Sequence, residues 1–335
     1  MDVLGTIESL DDALRLTAPN CAALDSLRGE HFGSHPRDAR ELWFRGQSSA
    51  KWSLKPSLDR QIEADALPPE IEHTIYVDFR RSEALTRAFK ISSILDVLCL
   101  MQHYGIPTRT LDWSTNVGVG LYFAVQDCLE TQVGDGALYV LNPRRLNWES
   151  TGVSVIHLPE SGPVEARGWM ISDPTLPSVM HYFSDHRPSY KAEIEEGFNR
   201  NSPTRDAYME QCRLPVAVAP DMITDRMRAQ DAMLVIHGGT HKTIEGGFGR
   251  PILLDEVNSG MGKYPCLAKL LVPGTAKDHI WGELMRIGIH RARLFPELEH
   301  QALHLWEQAV DSHKVLETRE RNKPRIPGIT EFTGF

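Results

Sequence analysis

Five short apolar runs, most of them halted by a glycine, proline or asparagine, constrain the fold of this chain more than any other feature of it. Leu42-Trp43-Phe44-Arg45 stops at Gly46-Gln47-Ser48-Ser49, Gly136-Ala137-Leu138-Tyr139-Val140-Leu141 at Asn142-Pro143, and Met233-Leu234-Val235-Ile236 at Gly238-Gly239. The run from Cys266 to Val272 stops at Pro273-Gly274, and Val216-Ala217-Val218-Ala219 is the remaining one. Runs this brief, rich in aromatic and β-branched residues, predict strands. Between the first two, residues 61–103 carry apolar side chains at helical spacing (Ile71, Ile75, Phe79, Leu85, Phe89, Ile94, Leu95, Leu98, Met101), closed by Gly105-Ile106-Pro107. Gly118 to Val125 is small and apolar throughout, suited to a helix lying tightly on a sheet. Ile7 to about Ala23 and Asp221 to Gln230 predict short helices, and Lys277 to about Lys314 predicts two, split near Phe295-Pro296. The pattern predicts an α+β fold: a mixed or mainly antiparallel central sheet with flanking helices.

A chain of 335 residues has ample length to bury a core and a prior of about two domains. Its formal net charge of −9 repels phosphate backbones at long range, so a nucleic-acid partner is disfavoured without a local basic patch. A hydrophobic fraction of 41% and a charged fraction of 24% exclude wholesale disorder and a membrane bundle. The 5 cysteines (Cys21, Cys99, Cys128, Cys212, Cys266) form no CxxC pair, which writes neither a disulfide framework nor a zinc site, and no metal is expected. The N-terminus has acids where a signal peptide carries basic residues, and no apolar run approaches a membrane span, so a cytoplasmic protein with no membrane partner is expected.

Several catalytic signatures are missing. Gly262-Lys263 has Val257 where a P-loop needs its first glycine, Gly118-Val119-Gly120 has Phe123 where a dinucleotide fingerprint needs its third, and neither HExxH nor GxSxG occurs.

Three stretches taken together are specific. The first is Phe44-Arg45-Gly46-Gln47 followed by Trp52-Ser53-Leu54-Lys55-Pro56-Ser57-Leu58. The second runs from Met101-Gln102-His103-Tyr104-Gly105-Ile106-Pro107 through Thr108-Arg109-Thr110-Leu111-Asp112-Trp113-Ser114 into Leu121-Tyr122-Phe123-Ala124, and the third is Arg228-Ala229-Gln230-Asp231. They resemble the FRG-domain family, named for its Phe-Arg-Gly motif, over roughly residues 40–240; Leu294-Phe295-Pro296-Glu297-Leu298 is similar to that family's tail. Thr110 and Ser114 depart from the family's usual leucine and threonine. The division this implies is a helical lead-in at 1–39, an FRG domain at 40–240 with a variable insertion at about 143–212, and a strand and helical tail at 241–335 packed on the same domain.

A more distant resemblance is to ADP-ribosyltransferases of the Arg-Ser-Glu type, carried by Arg45-Gly46 and by Ser114-Thr115-Asn116 before Gly120-Leu121-Tyr122-Phe123-Ala124. It implies a split sheet, NAD as substrate or ligand, a protein target or partner, and a bacterial conflict or signalling setting. It places Arg45, Gly46, Gln47, Arg109, Ser114 and Thr115 on the nucleotide, with Arg45 clamping phosphate or ribose in a fork lysine cannot match. Where such enzymes carry a glutamate that binds ribose and stabilises the oxocarbenium-like transition state, this chain offers Gln230 and Asp231, with Glu210 upstream.

Each residue also has a plainer reading. Arg45 can meet a structural carboxylate such as Asp112, and Arg109 and Asp112 can form a loop-pinning salt bridge. Ser114 and Thr115 can cap the following helix, Gln230 can satisfy backbone groups, and Trp43, Trp52 and Trp113 can be core or pocket wall. His103 and Asp112 open a different chemistry: if the turn at Gly105–Pro107 folds the chain back, they form a general base for a hydrolase or nuclease-like enzyme. A non-catalytic interaction or sensor module is the remaining alternative.

Overall fold

The computed structural model describes residues 3–18, 21–24, 27, 41–65, 67–68, 71–128, 133–152, 154–159, 161, 213–238, 241–242, 248–249, 251–261, 265–306 and 309–310. Its centre is a mixed sheet of seven strands: β1 (Val3–Thr6), β2 (Trp43–Gln47), β3 (Thr110–Ser114), β4 (Gly136–Leu141), β5 (Val216–Val218), β6 (Ala232–Ile236) and β9 (Leu267–Val272), in the order β1-β9-β4-β2-β3-β6-β5. Every pairing is antiparallel except β1 on β9. β7 (His241–Lys242) and β8 (Phe248–Gly249) form a separate pair. The five apolar runs are all strands, and the fold is α+β.

The helices are α1 (Leu10–Thr17), α2 (Ser57–Asp65), α3 (Ile71–Arg80), α4 (Glu83–Ala88), α5 (Ile94–His103), α6 (Val117–Val125), α7 (Pro143–Thr151), α8 (Asp225–Ala229), α9 (Leu254–Gly260), α10 (Lys277–Arg286) and α11 (Arg291–Leu294), and residues 298–306 are helical too. The N-terminal lead-in, expected to be helical, also contributes a strand: β1 precedes Ile7, α1 follows it, where the Ser9 hydroxyl accepts from the Asp12 amide at 3.1 Å, and among the described residues a 3-10 turn at Ala22–Leu24 comes next. β1 lies at the sheet edge with three of its four residues exposed, so no apolar alternation announces it. The region from 143, expected to be irregular, opens with α7. Asn142-Pro143 stops β4 and also starts this helix, since the Asn142 side chain accepts from the Arg145 amide at 3.0 Å and proline suits the first helical position. Residues 162–212, the rest of the expected insertion, lie outside the described residues, as do Cys212 and Glu210.

Strand alternation sorts the core into two faces. Phe44, Leu138, Val140, Leu270 and Val272 pack with α1, α6 and α10; farther along the same face Val216, Val218, Leu234 and Ile236 pack with α3 and α5. Trp43, Leu111, Trp113, Ala137, Tyr139 and Leu141 point the other way, against α7 and α9. The glycine of the Phe-Arg-Gly motif has a steric reason: a Cβ built on Gly46 would stand 1.9 Å from the Gly120 carbonyl oxygen and 2.5 Å from the Ala124 nitrogen. α6 therefore lies backbone to backbone across β2. Gly120 returns the contact, its own Cβ position being 2.9 Å from Phe44 Cβ and from Leu138 Cδ1.

α2, α3 and the turn before β3 share a buried acid–base group. Arg109 Nε donates to Glu72 Oε1 and Oε2 at 2.8 and 2.9 Å, with its terminal nitrogen on the same carboxylate. Asp59 sits beside this pair with a buried Oδ2 that has no partner among the described residues, and burial pushes its pKa up to about 6, Arg109 opposing and Glu72 reinforcing. A raised folded-state pKa means that the native protein holds the proton more tightly than the unfolded chain, so stability falls as pH rises from about 4 to about 6. Asp59→Asn is accordingly expected to add on the order of 2 kcal/mol at pH 7 and to flatten that slope in urea unfolding at pH 4.5 and 7. An unchanged midpoint at both pH values contradicts this.

Candidate functional site

A cleft of about 700 Å³ opens where β2 and β3 part company. The two strands share a single registered pair, Phe44 with Ser114, whereas β2 pairs five residues with β4 and β3 pairs five with β6. Arg45, Gly46 and Gln47 line one side and Asp112, Trp113 and Ser114 the other. The turn Ser48–Ser53, Arg60 of α2, Phe123 of α6, Gln126 and Gln230 complete the wall.

Arg45 is the most constrained charge in it. One terminal nitrogen donates to the Asp112 carbonyl at 2.6 Å, while Nε is buried with no partner among the described residues. Burial lowers its pKa, the Asp112 carboxylate opposes that, and Arg60 adds to it; a guanidinium so placed stays charged. Asp112 is solvent-exposed in the cleft, and desolvation by the surrounding protein nonetheless raises its pKa, against the pull of Arg45 and Arg226. Among the described lining residues three cations, Arg45, Lys51 and Arg60, face one acid, Asp112. The aromatic surface comes from Trp113, Phe123 and Trp52, the last 58% exposed and free to stack on a planar group.

Of the residues singled out from sequence, the cleft gathers Arg45, Gly46, Gln47, Asp112, Ser114 and Gln230, while His103, Arg109 and Thr115 are not part of its lining. Arg109 forms neither a ligand contact there nor a salt bridge with Asp112. Arg109, in the bend before β3, is spent on Glu72 of α3. His103 does not meet Asp112 either. The preceding residue, Gln102, donates to Asp112 Oδ2, and the His103 ring, turned farther round α5, stands 3.7 Å from Glu297 and edge-on to Tyr104. Burial and Arg226 lower the His103 pKa, and Glu297 opposes them.

The α6 cap is Asn116, whose Oδ1 accepts from the Gly118 amide at 2.9 Å, and not Ser114 or Thr115. The Ser114 hydroxyl donates instead to the Gln230 carbonyl at 2.7 Å, and the Thr115 amide donates to the Asp231 carbonyl at 3.2 Å. The Gln230 amide donates to the Leu294 carbonyl at 3.1 Å. The stretch Arg228–Asp231, with Asp231 at φ 47°, thus clips the β3–α6 turn to the C-terminal segment. Gln230 borders the cleft with its donor end already engaged.

Sequence reading missed Lys51, Arg60 and Gln126, whose charges and amide resemble any solvated surface, and two lysines that shape the wall. Lys277, fully buried, donates to Asp127 at 2.6 Å and to the Ser48 carbonyl at 2.7 Å, and Lys269 donates to the Ala50 carbonyl at 2.6 Å. Both hold the turn that carries Lys51 and Trp52. Removing one partner of a buried ion pair strands the other, so Lys277→Met is expected to cost about 2–3 kcal/mol in urea unfolding, less than a fully buried pair because Asp127 keeps some water. A loss below about 0.5 kcal/mol contradicts the clamp.

Thiol chemistry has no support among the described residues: Cys99 and Cys266 are buried, and burial pushes the Cys128 and Cys266 thiols up to about 11 and about 12. Among the described residues no cluster of three His, Cys, Asp or Glu side chains is placed to hold a metal ion, and no helix is long and apolar enough to cross a membrane. No curated protein and no solved structure matches the chain. The family model described as FRG domain matches residues 40–132, the span from the approach to β2 through α6 that supplies both sides of the cleft mouth. The chain carries an FRG domain at residues 40–132.

Proposed function

We propose that the cleft binds a nucleotide of the NAD class and that Asp112, rather than Gln230, is the acid for its chemistry. The observation that carries this is Arg45: a guanidinium in the wall of an open cleft, one nitrogen on a carbonyl and Nε without a partner among the described residues, is a costly arrangement unless an anionic ligand completes it. Lys51 and Arg60 nearby complement a diphosphate, and Trp52, Trp113 and Phe123 complement planar bases. Asp112 is the acid among the described lining residues and lies within electrostatic reach of Arg45, so that its carboxylate could accept from a ribose hydroxyl and stabilise positive charge at the sugar.

In this reading the bond between nicotinamide and ribose C1′ breaks with its electron pair leaving on the nicotinamide nitrogen. Water or a side chain of a target protein then adds at C1′ and gives up its proton. The likeness of Arg45-Gly46 and Ser114-Thr115-Asn116 to ADP-ribosyltransferase motifs supports the same reaction class. The hydrolase centred on a His103–Asp112 pair loses its premise, because Asp112 is engaged by Gln102 and His103 by Glu297.

Chromatography for nicotinamide released from NAD tests the proposal. Wild type is expected to release it, and Asp112→Asn to release it at least about 100-fold more slowly while still binding NAD. Binding without release in wild type makes the domain a sensor, and release unaffected by Asp112→Asn removes Asp112 from the chemistry.

A further inference from the structure

β3 places Thr110 and Asp112 on one side of the sheet, two residues and therefore roughly 6–7 Å apart along the strand. Gln102, at the end of α5, spans that interval with the two ends of its amide. Its Nε2 donates to Asp112 Oδ2, and its Oε1 accepts from the Thr110 hydroxyl and, at 3.3 Å, from the Thr108 hydroxyl. Thr108 and Thr110 are themselves 2.8 Å apart, oxygen to oxygen, and both are buried. An ionised carboxylate can only accept, so it takes the NH₂ end of Gln102, and the threonine hydroxyls, which can donate, satisfy the amide oxygen on the other side and hold the side chain in place.

We infer that Gln102 is a positioning residue for Asp112: held by Thr108 and Thr110, it fixes Oδ2 and leaves Oδ1 as the oxygen presented to a ligand. The inference rests on the reading of Asp112 as the acid of a nucleotide cleft, but the arrangement itself is testable without a nucleotide. It also gives a reason for the glutamine beside His103 in the stretch Met101-Gln102-His103-Tyr104.

The charged groups that act on Asp112 are Arg45 from β2 and Arg226 from α8, with Gln102 the neutral donor between them and the buried thiol of Cys99 also on α5. Removing a donor to the ionised form lets the proton bind more tightly. The experiment follows the side-chain carboxyl carbon of Asp112 by ¹³C NMR titration of the full chain, its signal assigned by its loss in Asp112→Asn, and measures NAD affinity on the same samples. Gln102→Met keeps the length without the hydrogen bonds; it is expected to raise the titration midpoint of Asp112 by about one pH unit and to weaken NAD binding about tenfold. Thr110→Val leaves Gln102 in place without its lock and is expected to give a smaller shift in the same direction.

Folded Gln102→Met protein whose Asp112 titrates as in wild type overturns the positioning role. If wild type binds no NAD, the nucleotide reading falls, and the titration alone decides whether Gln102 governs Asp112. If the Gln102→Met protein does not fold, the comparison of Thr110→Val with wild type decides, an unshifted midpoint overturning the inference.

Discussion

Gly46→Ala will cost this protein most of its stability. A methyl group at that position meets three backbone atoms, the Gly120 oxygen at 1.9 Å, the Ala124 nitrogen at 2.5 Å and the Phe123 carbonyl carbon at 2.9 Å. A flexible side chain could swing aside, but these atoms belong to the hydrogen-bonded turns of α6. Relief requires the whole helix to lift from β2, parting Phe44, Leu121, Ala124 and Leu138 in the core beneath it. Overpacking normally costs about 1–3 kcal/mol where side chains can adjust; here the expected loss exceeds about 4 kcal/mol, a large share of the roughly 5–15 kcal/mol that holds a native domain together. Urea unfolding of wild type and variant is the measurement. An unfolding free energy lowered by less than about 1 kcal/mol would mean that α6 does not ride on the backbone of β2.

Arg45→Lys is expected to leave the fold in place and to abolish the proposed nucleotide binding. Lysine keeps the positive charge and can reach the cleft, but it presents a single point of charge where Arg45 presents a planar fork. One nitrogen of that fork is committed to the Asp112 carbonyl, the contact that bridges the parted strands, and Nε stands behind it with no partner among the described residues. An ammonium that satisfies the carbonyl has no second, fixed set of donors left for the ligand. NAD affinity measured by calorimetry is expected to fall at least about 100-fold, about 2.7 kcal/mol, with nicotinamide release lost in step. Affinity retained within a factor of three would make Arg45 a strut between β2 and β3 and nothing more.

Much of this was legible in the sequence because the informative residues are punctuated. Phe44-Arg45-Gly46 shows a charge inside an apolar run followed by a residue without a side chain, and both features describe the cleft: the charge lines it and the glycine lets α6 close over it. The small and apolar stretch from Gly118 announced a helix pressed on a sheet for the same reason. What sequence could not give was pairing at a distance. Arg109 lies three residues from Asp112 yet takes its partner, Glu72, from α3; His103 is adjacent to Gln102 yet faces Glu297, 194 positions along the chain (297 − 103). The distant resemblance points to an acid near Gln230, on a late strand, whereas the parting of β2 from β3 brings Asp112, in an early strand, into the cleft, and Asp112 is the acid we propose. Lys269 and Lys277 were invisible for a different reason. A lysine in sequence reads as solvated surface, and only the assembled sheet shows that these two are aimed at the carbonyls of the turn after β2.

The most direct measurement of the account is a crystal structure of the full chain grown with saturating NAD. The dinucleotide is expected in the cleft between β2 and β3, with an anionic group on Arg45 and a ribose hydroxyl on Asp112. Well-ordered crystals with the cleft accessible and NAD bound elsewhere, or not bound, would contradict it.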